Sequence, residues 1–183
     1  IRNLSIETSE KREIEKELVF LVRVFNEWKV LLNTIQELID SSKWDILVVN
    51  DWSFDNSLDI LKSFWDKIIL VSHLKNRWGG AALETWFEYI RRFWKNTKYV
   101  CTFDADWQHQ LKDLNKFLDK FDADNNLDVI FWSRFITHTK TNVWFVRKIV
   151  LKLGIFFTYF VSNIKLTDAH NWYRVFKSNI IKE

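Results

Sequence analysis

Four times in the first 133 residues, a short unbroken apolar run is followed by a stretch of helical period. The runs are "LVFLVRVF" (18–25), "DILVVN" (45–50), "KIILVS" (67–72) and "KYVCTF" (98–103), and a fifth, "LDVIFW" (127–132), closes the series. Between them lie "NEWKVLLNTIQELID", "SLDILKSF", "GGAALETWFEYIRRF" and "LKDLNKFLDKF". In the first of these Val30, Ile35, Leu38 and Ile39 recur at the spacing of one helix face. Short continuous apolar strands alternating with amphipathic helices predict an α/β fold: a mostly parallel central sheet covered by helices on both faces, with right-handed crossovers. Beyond residue 133 the alternation stops. There Ile149, Leu153, Phe156 and Phe160 fit a helix stripe and "NWYRVF" fits one more strand.

The 183 residues suit one domain, and 48% hydrophobic content suffices for a single core. Residues 1–17 are polar and read as a leader or frayed helix, leaving 18–183 as the domain. The single Cys101 excludes an internal disulfide, and its apolar setting predicts a small buried hydrophobe in a reducing compartment. "IVLKLGIFFTYFV" (149–161) carries Lys152 and is shorter than the roughly 20 residues of a membrane span, so it is expected to lie on a membrane at most. No signal segment opens the chain. The net charge of +3 is unevenly spread. From Arg134 onward nine Lys and Arg face two acids, Asp168 and Glu183, so the first part is acidic and the last basic. An acidic first part suits a divalent cation and a basic last part suits phosphate, where the plainer reading is a solvated surface.

In an open parallel sheet, ligands collect at the carboxyl ends of the strands, where helix N-termini point inward. Those ends carry Asn26 and Glu27; Asn50, Asp51 and Ser53; His73 and Asn76; Asp104, Asp106 and Gln108; and Ser133 and Arg134. The sharpest element is "DAD". Alternation along an extended chain points residues i and i+2 to one side, so Asp104 and Asp106 can offer oxygens to one hard cation, with Gln108 as a third ligand. Open positions would remain for phosphate oxygens, the usual arrangement of Mg2+ or Mn2+ beside a nucleotide. The alternative is an acidic loop that caps the next helix. "NRWGGAAL" lacks the lysine and spacing of a phosphate loop, and the four histidines lack zinc spacing, His109 and His170 reading as loop hydrogen-bonders.

"VFNE", "VVNDWS", "NRWGGAAL", "FDADWQH", "FWSRF" and "TDAHNWYRVF", in that order over about residues 18–177, resemble the motifs of family-2 inverting glycosyltransferases of the A-type, nucleotide-diphospho-sugar transferase fold. The pattern is similar to enzymes of the dolichyl-phosphate mannosyltransferase type. The resemblance implies that Phe25, Glu27, Asp51 and Asp104 bind the nucleotide, and that Asp104, Asp106 and Gln108 hold Mg2+ or Mn2+ on the diphosphate. Asp106, Arg134, Arg174 and Asp168 would be the catalytic set, with Arg134, Arg147 and Arg174 on the acceptor phosphate. The implied partners are a nucleotide-sugar donor, a polyprenyl-phosphate acceptor and a membrane surface. The implied place is the cytoplasm, peripheral to the inner membrane face, in bacterial cell-envelope assembly. A departing diphosphate needs its developing charge neutralised, and an anionic acceptor phosphate attacks without a general base. Each arginine has an alternative as a surface ion pair. Two further readings stay open: transfer to a polysaccharide or other hydroxyl acceptor with Asp168 as base, and a non-catalytic nucleotide-binding module. Nucleic acid is not an expected partner, because the basic region lacks a stacking motif. Family members run on past a point like Glu183, so a membrane-anchoring extension is expected to follow.

Set against this pattern, Trp52, Trp78, Trp107, Trp132 and Trp172 occupy family glycine positions, and Trp65, Trp86 and Trp94 fall where glycine is frequent. The chain has three glycines and eleven tryptophans. Average usage would give about 13 glycines, close to the two counts combined. Glycine belongs at such turns where φ is positive or where backbone must approach a ligand. The pattern predicts UGA codons that specify glycine in the source organism and read as tryptophan in the translation used. Made with these rings, the chain is expected to be crowded at Trp52 and Trp107 and to turn over little donor. The family's proline positions hold Arg23, Leu111 and Trp144, for which no single account serves.

Overall fold

The computed structural model describes residues 13–41, 43–105, 111–133, 155, 163, 167–168 and 171–181. Six strands form one sheet: β1 (Leu18–Val24), β2 (Asp45–Asn50), β3 (Ile69–Ser72), β4 (Tyr99–Asp104), β5 (Val129–Phe131) and β6 (Arg174–Lys177). Their order is β3-β2-β1-β4-β6-β5. β1 pairs in parallel with β2 and β4, and β2 with β3, whereas β6 runs antiparallel to both β4 and β5. The expected mostly parallel sheet is therefore present, with the late "NWYRVF" strand inserted between the fourth and fifth.

Alternation along β1 divides the core. Leu18, Phe20, Val22 and Val24 face one layer, packed with α1 (Trp28–Asp40), α2 (Ser57–Lys62) and α4 (Leu114–Ala123). Val19 and Leu21 face the other, against Ala82, Trp86, Tyr89 and Ile90 of α3 (Trp78–Phe93). A strand covered on both sides is apolar at nearly every position, which is why the strand runs are long and apolar, Arg23 of β1 being an exception. Each such side chain contributes about 1.5–3 kcal/mol when buried. On α1 the buried positions Leu31, Thr34, Ile35 and Leu38 form one stripe. The expected stripe at 149–160 and its membrane contact lie outside the described residues, Ile155 apart.

The leader reading ends too late. Ile14 is fully buried within the α3 layer, its N–H donating to the Phe93 carbonyl at 2.9 Å. Asp45 Oδ2 accepts the backbone N–H groups of Glu15 and Lys16, each at 2.8 Å. Residues 13–17 are polar apart from Ile14 and carry no periodic signal, and the carboxylate at the start of β2 helps to dock them.

Candidate active site

The loops after β1 and β2 are laced together where the sheet's carboxyl edge opens. Asn26, with φ of 58°, donates its N–H to Ser53 Oγ at 3.0 Å, and its side-chain oxygen accepts from the Phe54 N–H at 3.0 Å. Glu27 N–H reaches Ser57 Oγ at 3.0 Å, and Trp28 N–H reaches Asp55 Oδ2 at 3.4 Å. The start of α1 has no side-chain cap of its own, so its orphan N–H groups are met by the neighbouring loop. Burial raises the Asp55 pKa, and hydrogen bonds from the Ser57 side chain and from backbone N–H groups outweigh it, leaving the carboxyl below its usual range. Phe25, Phe54 and Trp52 meet edge to face above these loops, with centroids 6.1 and 6.4 Å apart.

Asp51 sits beneath them, fully buried. Its Oδ1 accepts from the Arg77 N–H at 2.9 Å and from His73 Nδ1 at 2.8 Å. Its Oδ2 has no hydrogen-bond partner; Arg23 Nη1 stands 3.8 Å away.

The second half lies across β4. Thr34 Oγ1, on α1, donates to carbonyls of Val30 and Ala105, which ties the residue after Asp104 to the helix. Thr102 Oγ1 bonds the Trp172 carbonyl, and Trp132 N–H reaches the Tyr173 carbonyl at 3.0 Å, so β4 and the end of β5 grip the late motif. Thr102 and Arg174 are register partners. The Arg174 guanidinium lies 5.2 Å from the Phe131 ring centroid and 5.5 Å from that of Trp172. Its Nε donates to the Asn171 carbonyl at 3.0 Å. Burial pushes its pKa down, against the opposing pull of Asp104 and Asp168. A cation held between ring faces and sensing two carboxylates is well placed to meet an anion. Asp168, itself buried, also borders a cleft of about 350 Å³ lined by Val129, Phe131, Trp132 and Ser133.

These two halves are joined through β1. Arg23 pairs in register with Asp104 on β4 and approaches Asp51 beyond β2. Two strand spacings, about 10 Å, therefore separate the neighbourhoods of Asp51 and Asp104. Residues 20–183 match the family model described as Glycosyl transferase family 2. The chain belongs to that family.

A protein of Methanocaldococcus jannaschii described as uncharacterized is 30% identical over 179 residues, covering 97% of this chain and 72% of its own length. A UDP-N-acetylglucosamine--dolichyl-phosphate N-acetylglucosaminyltransferase of Methanococcus voltae is 24% identical over 184 residues, covering 92% of this chain and 72% of its own. In fold, the chain is similar to the glucosyl-3-phosphoglycerate synthase of Mycobacterium tuberculosis solved with Mn2+, uridine diphosphate and glucosyl-3-phosphoglycerate. The TM-score is 0.63 at 11% identity, over 90% of this chain and 58% of that one. The nucleotide-sugar transferase fold expected from the motifs is thus shown, and the family-2 chain spans little more than half of that solved enzyme.

Of the site residues expected from sequence, the structure gathers Phe25, Glu27 and Asp51 at the β1–β2 edge, and Asp104, Asp168 and Arg174 at the β4–β6 edge. Asp106, Gln108, Arg134 and Arg147 lie outside the described residues. Among the described residues no three His, Cys, Asp or Glu side chains cluster as metal ligands. Asp104 offers a hard oxygen at the strand end, the donor type that Mg2+ and Mn2+ take. Arg23 and His73 were given no role by the sequence reading. A cation inside an apolar strand and a histidine at a strand's carboxyl end were the available signals.

The tryptophans divide by position. Trp52 has φ of 67°, in the left-handed region where a side chain is disfavoured by about 1–2 kcal/mol. Trp78, Trp132 and Trp172 are not among the positive-φ residues, so of the two reasons for a glycine there close approach of backbone to a ligand is the one left. Trp172 instead depends on a glycine opposite: a Cβ on Gly79 would stand 2.8 Å from its ring. Trp86 is buried with its indole N–H unpartnered, which costs about 1–3 kcal/mol. Trp107 lies outside the described residues.

Proposed function

We propose that this family-2 chain carries out inverting transfer of a hexose from a nucleotide-sugar to a polyprenyl phosphate, assisted by a divalent cation at a membrane surface. The observation that carries the reading is Arg174, desolvated between Phe131 and Trp172 within electrostatic reach of Asp104 and Asp168, on the strand next to β4, which ends at Asp104. Asp51, Phe25 and Glu27 would hold the nucleoside, and the diphosphate would lie toward Asp104. Asp104, Asp106 and Gln108 would hold Mg2+ or Mn2+, which when bound neutralises charge on the diphosphate. Arg174, with Arg134 and Arg147, would receive the acceptor phosphate, already anionic and needing no general base. The Mn2+ and uridine diphosphate of the similar solved synthase support the donor side of this reading. The dolichyl-phosphate acceptor in the name of the Methanococcus voltae relative supports the acceptor side. Among the described residues no helix is long and apolar enough to cross a membrane, so lipid access would come from the surface.

Buried Asp168 beside the cleft keeps one alternative in play, a hydroxyl acceptor deprotonated by that carboxylate. The test is incubation of the chain, as written and with glycine at positions 52, 78, 107, 132 and 172, with labelled nucleotide-sugars, polyprenyl phosphate and Mn2+. Label is expected in the lipid fraction of the glycine-bearing chain, lost on chelation and retained in Asp168→Asn. No transfer to lipid phosphate from any donor overturns the proposal, and loss of activity in Asp168→Asn alone favours the hydroxyl acceptor.

A further inference from the structure

Asp51 is fixed by a relay that reaches into α3. His73, just past β3, has a fully buried ring. Its Nδ1 donates to Asp51 Oδ1 at 2.8 Å, since a carboxylate oxygen can only accept. Its Nε2 lies 2.9 Å from Thr85 Oγ1, whose single hydroxyl proton also faces the Ala81 carbonyl at 2.9 Å. The Arg77 N–H takes a second position on Oδ1. One carboxylate oxygen is therefore saturated by two donors, while Oδ2 is buried with no hydrogen-bond partner and with Arg23 Nη1 at 3.8 Å, beyond bonding distance.

We propose that His73 and Thr85 are positioning residues that hold Asp51 so that only Oδ2 is presented to the nucleoside, where it accepts a ring N–H or a ribose O–H. The inference rests on the nucleotide reading above. A carboxylate free to rotate would divide its acceptor capacity between orientations, whereas one pinned through Oδ1 presents a single lone-pair set and selects ligands that carry a donor at that point. Loosely held Arg23 yields its place to the ligand and remains as counter-charge. An unmet buried acceptor is a strong discriminator, because a ligand lacking the donor leaves it unpaired.

Calorimetric titration of the chain with glycine at positions 52, 78, 107, 132 and 172, which serves as the wild type of this test, and of His73→Leu, His73→Asn and Thr85→Val in that background, with uridine, guanosine, their diphosphates, and Mn2+ with pyrophosphate tests this, with thermal melting as the check on folding. His73→Leu is expected to weaken nucleoside and nucleoside diphosphate by the same factor, about tenfold or more. Pyrophosphate binding should be unchanged. His73→Asn, which keeps a donor to Oδ1, should recover most of the loss, and Thr85→Val should fall between. Unchanged nucleoside affinity in folded His73→Leu, or an equal loss for pyrophosphate, overturns the inference. If His73→Leu does not fold, unchanged affinity in Thr85→Val overturns it. A wild type that binds Mn2+ with pyrophosphate but no nucleoside sinks the nucleotide reading itself.

Discussion

The β1–β2–β3 edge and the β4–β6 edge hold their charged groups by different means. At the first, Asp51 is locked by short directional bonds from His73 and the Arg77 backbone, and the surrounding loops exchange side-chain-to-backbone bonds in both directions. At the second, Arg174 stacks on two ring faces, lies within the fields of Asp104 and Asp168, and donates through Nε to the Asn171 carbonyl. Directional bonds fix an acceptor to a fraction of an ångström, as discrimination between bases requires. Stacking on ring faces constrains a guanidinium less tightly than short directional bonds constrain a carboxylate, which suits charge that appears and leaves during a reaction.

That contrast predicts unequal consequences of substitution. Asp51→Asn breaks a buried charged pair and leaves His73 and Arg23 facing an amide. A loss of about 3–5 kcal/mol of stability is expected by denaturant unfolding, together with loss of nucleotide binding. Undiminished stability in Asp51→Asn would place the lock elsewhere. Arg174→Lys keeps the charge but loses the planar stack, so turnover is expected to fall about 10-fold to 100-fold with little change in melting temperature. A large stability loss there would erase the distinction between the two edges. Trp52→Gly relieves a left-handed side chain at the lip of the first edge and is expected to stabilise by about 1–2 kcal/mol, raising the melting temperature by a few degrees. Sequencing the gene sharpens that result: UGA is expected at codon 52, and UGG at most of the tryptophan positions would end the glycine reading.

The two edges also differ in how far the sequence exposed them. Asp51 follows the apolar run "DILVVN" directly, so its place at a strand end was readable, as was that of Asp104 after "KYVCTF". The relay behind Asp51 was not, because His73 and Thr85 stand 12 residues apart and meet only when α3 packs over the sheet. Likewise Arg23 looked like an interruption of an apolar strand until pairing set it between Asp104 and Asp51. The glycine pattern called for positive φ or a close approach to ligand at each position, and the structure has positive φ at Trp52, since φ depends on the local turn and not on residue preference alone.

Period and composition alone determined the strands, the helices, the two-faced burial and the family motifs, because short-range patterning answers to the local geometry of a strand or helix. Only the tertiary structure decided that the strand near residue 175 runs backwards between β4 and β5, that Ile14 is core, and that Arg174 lies within the fields of Asp104 and Asp168. The pairing of β6 with β4 and the docking of Ile14 on Phe93 join residues more than 70 positions apart. Their energies come from burial and charge in three dimensions, which no window of the chain contains.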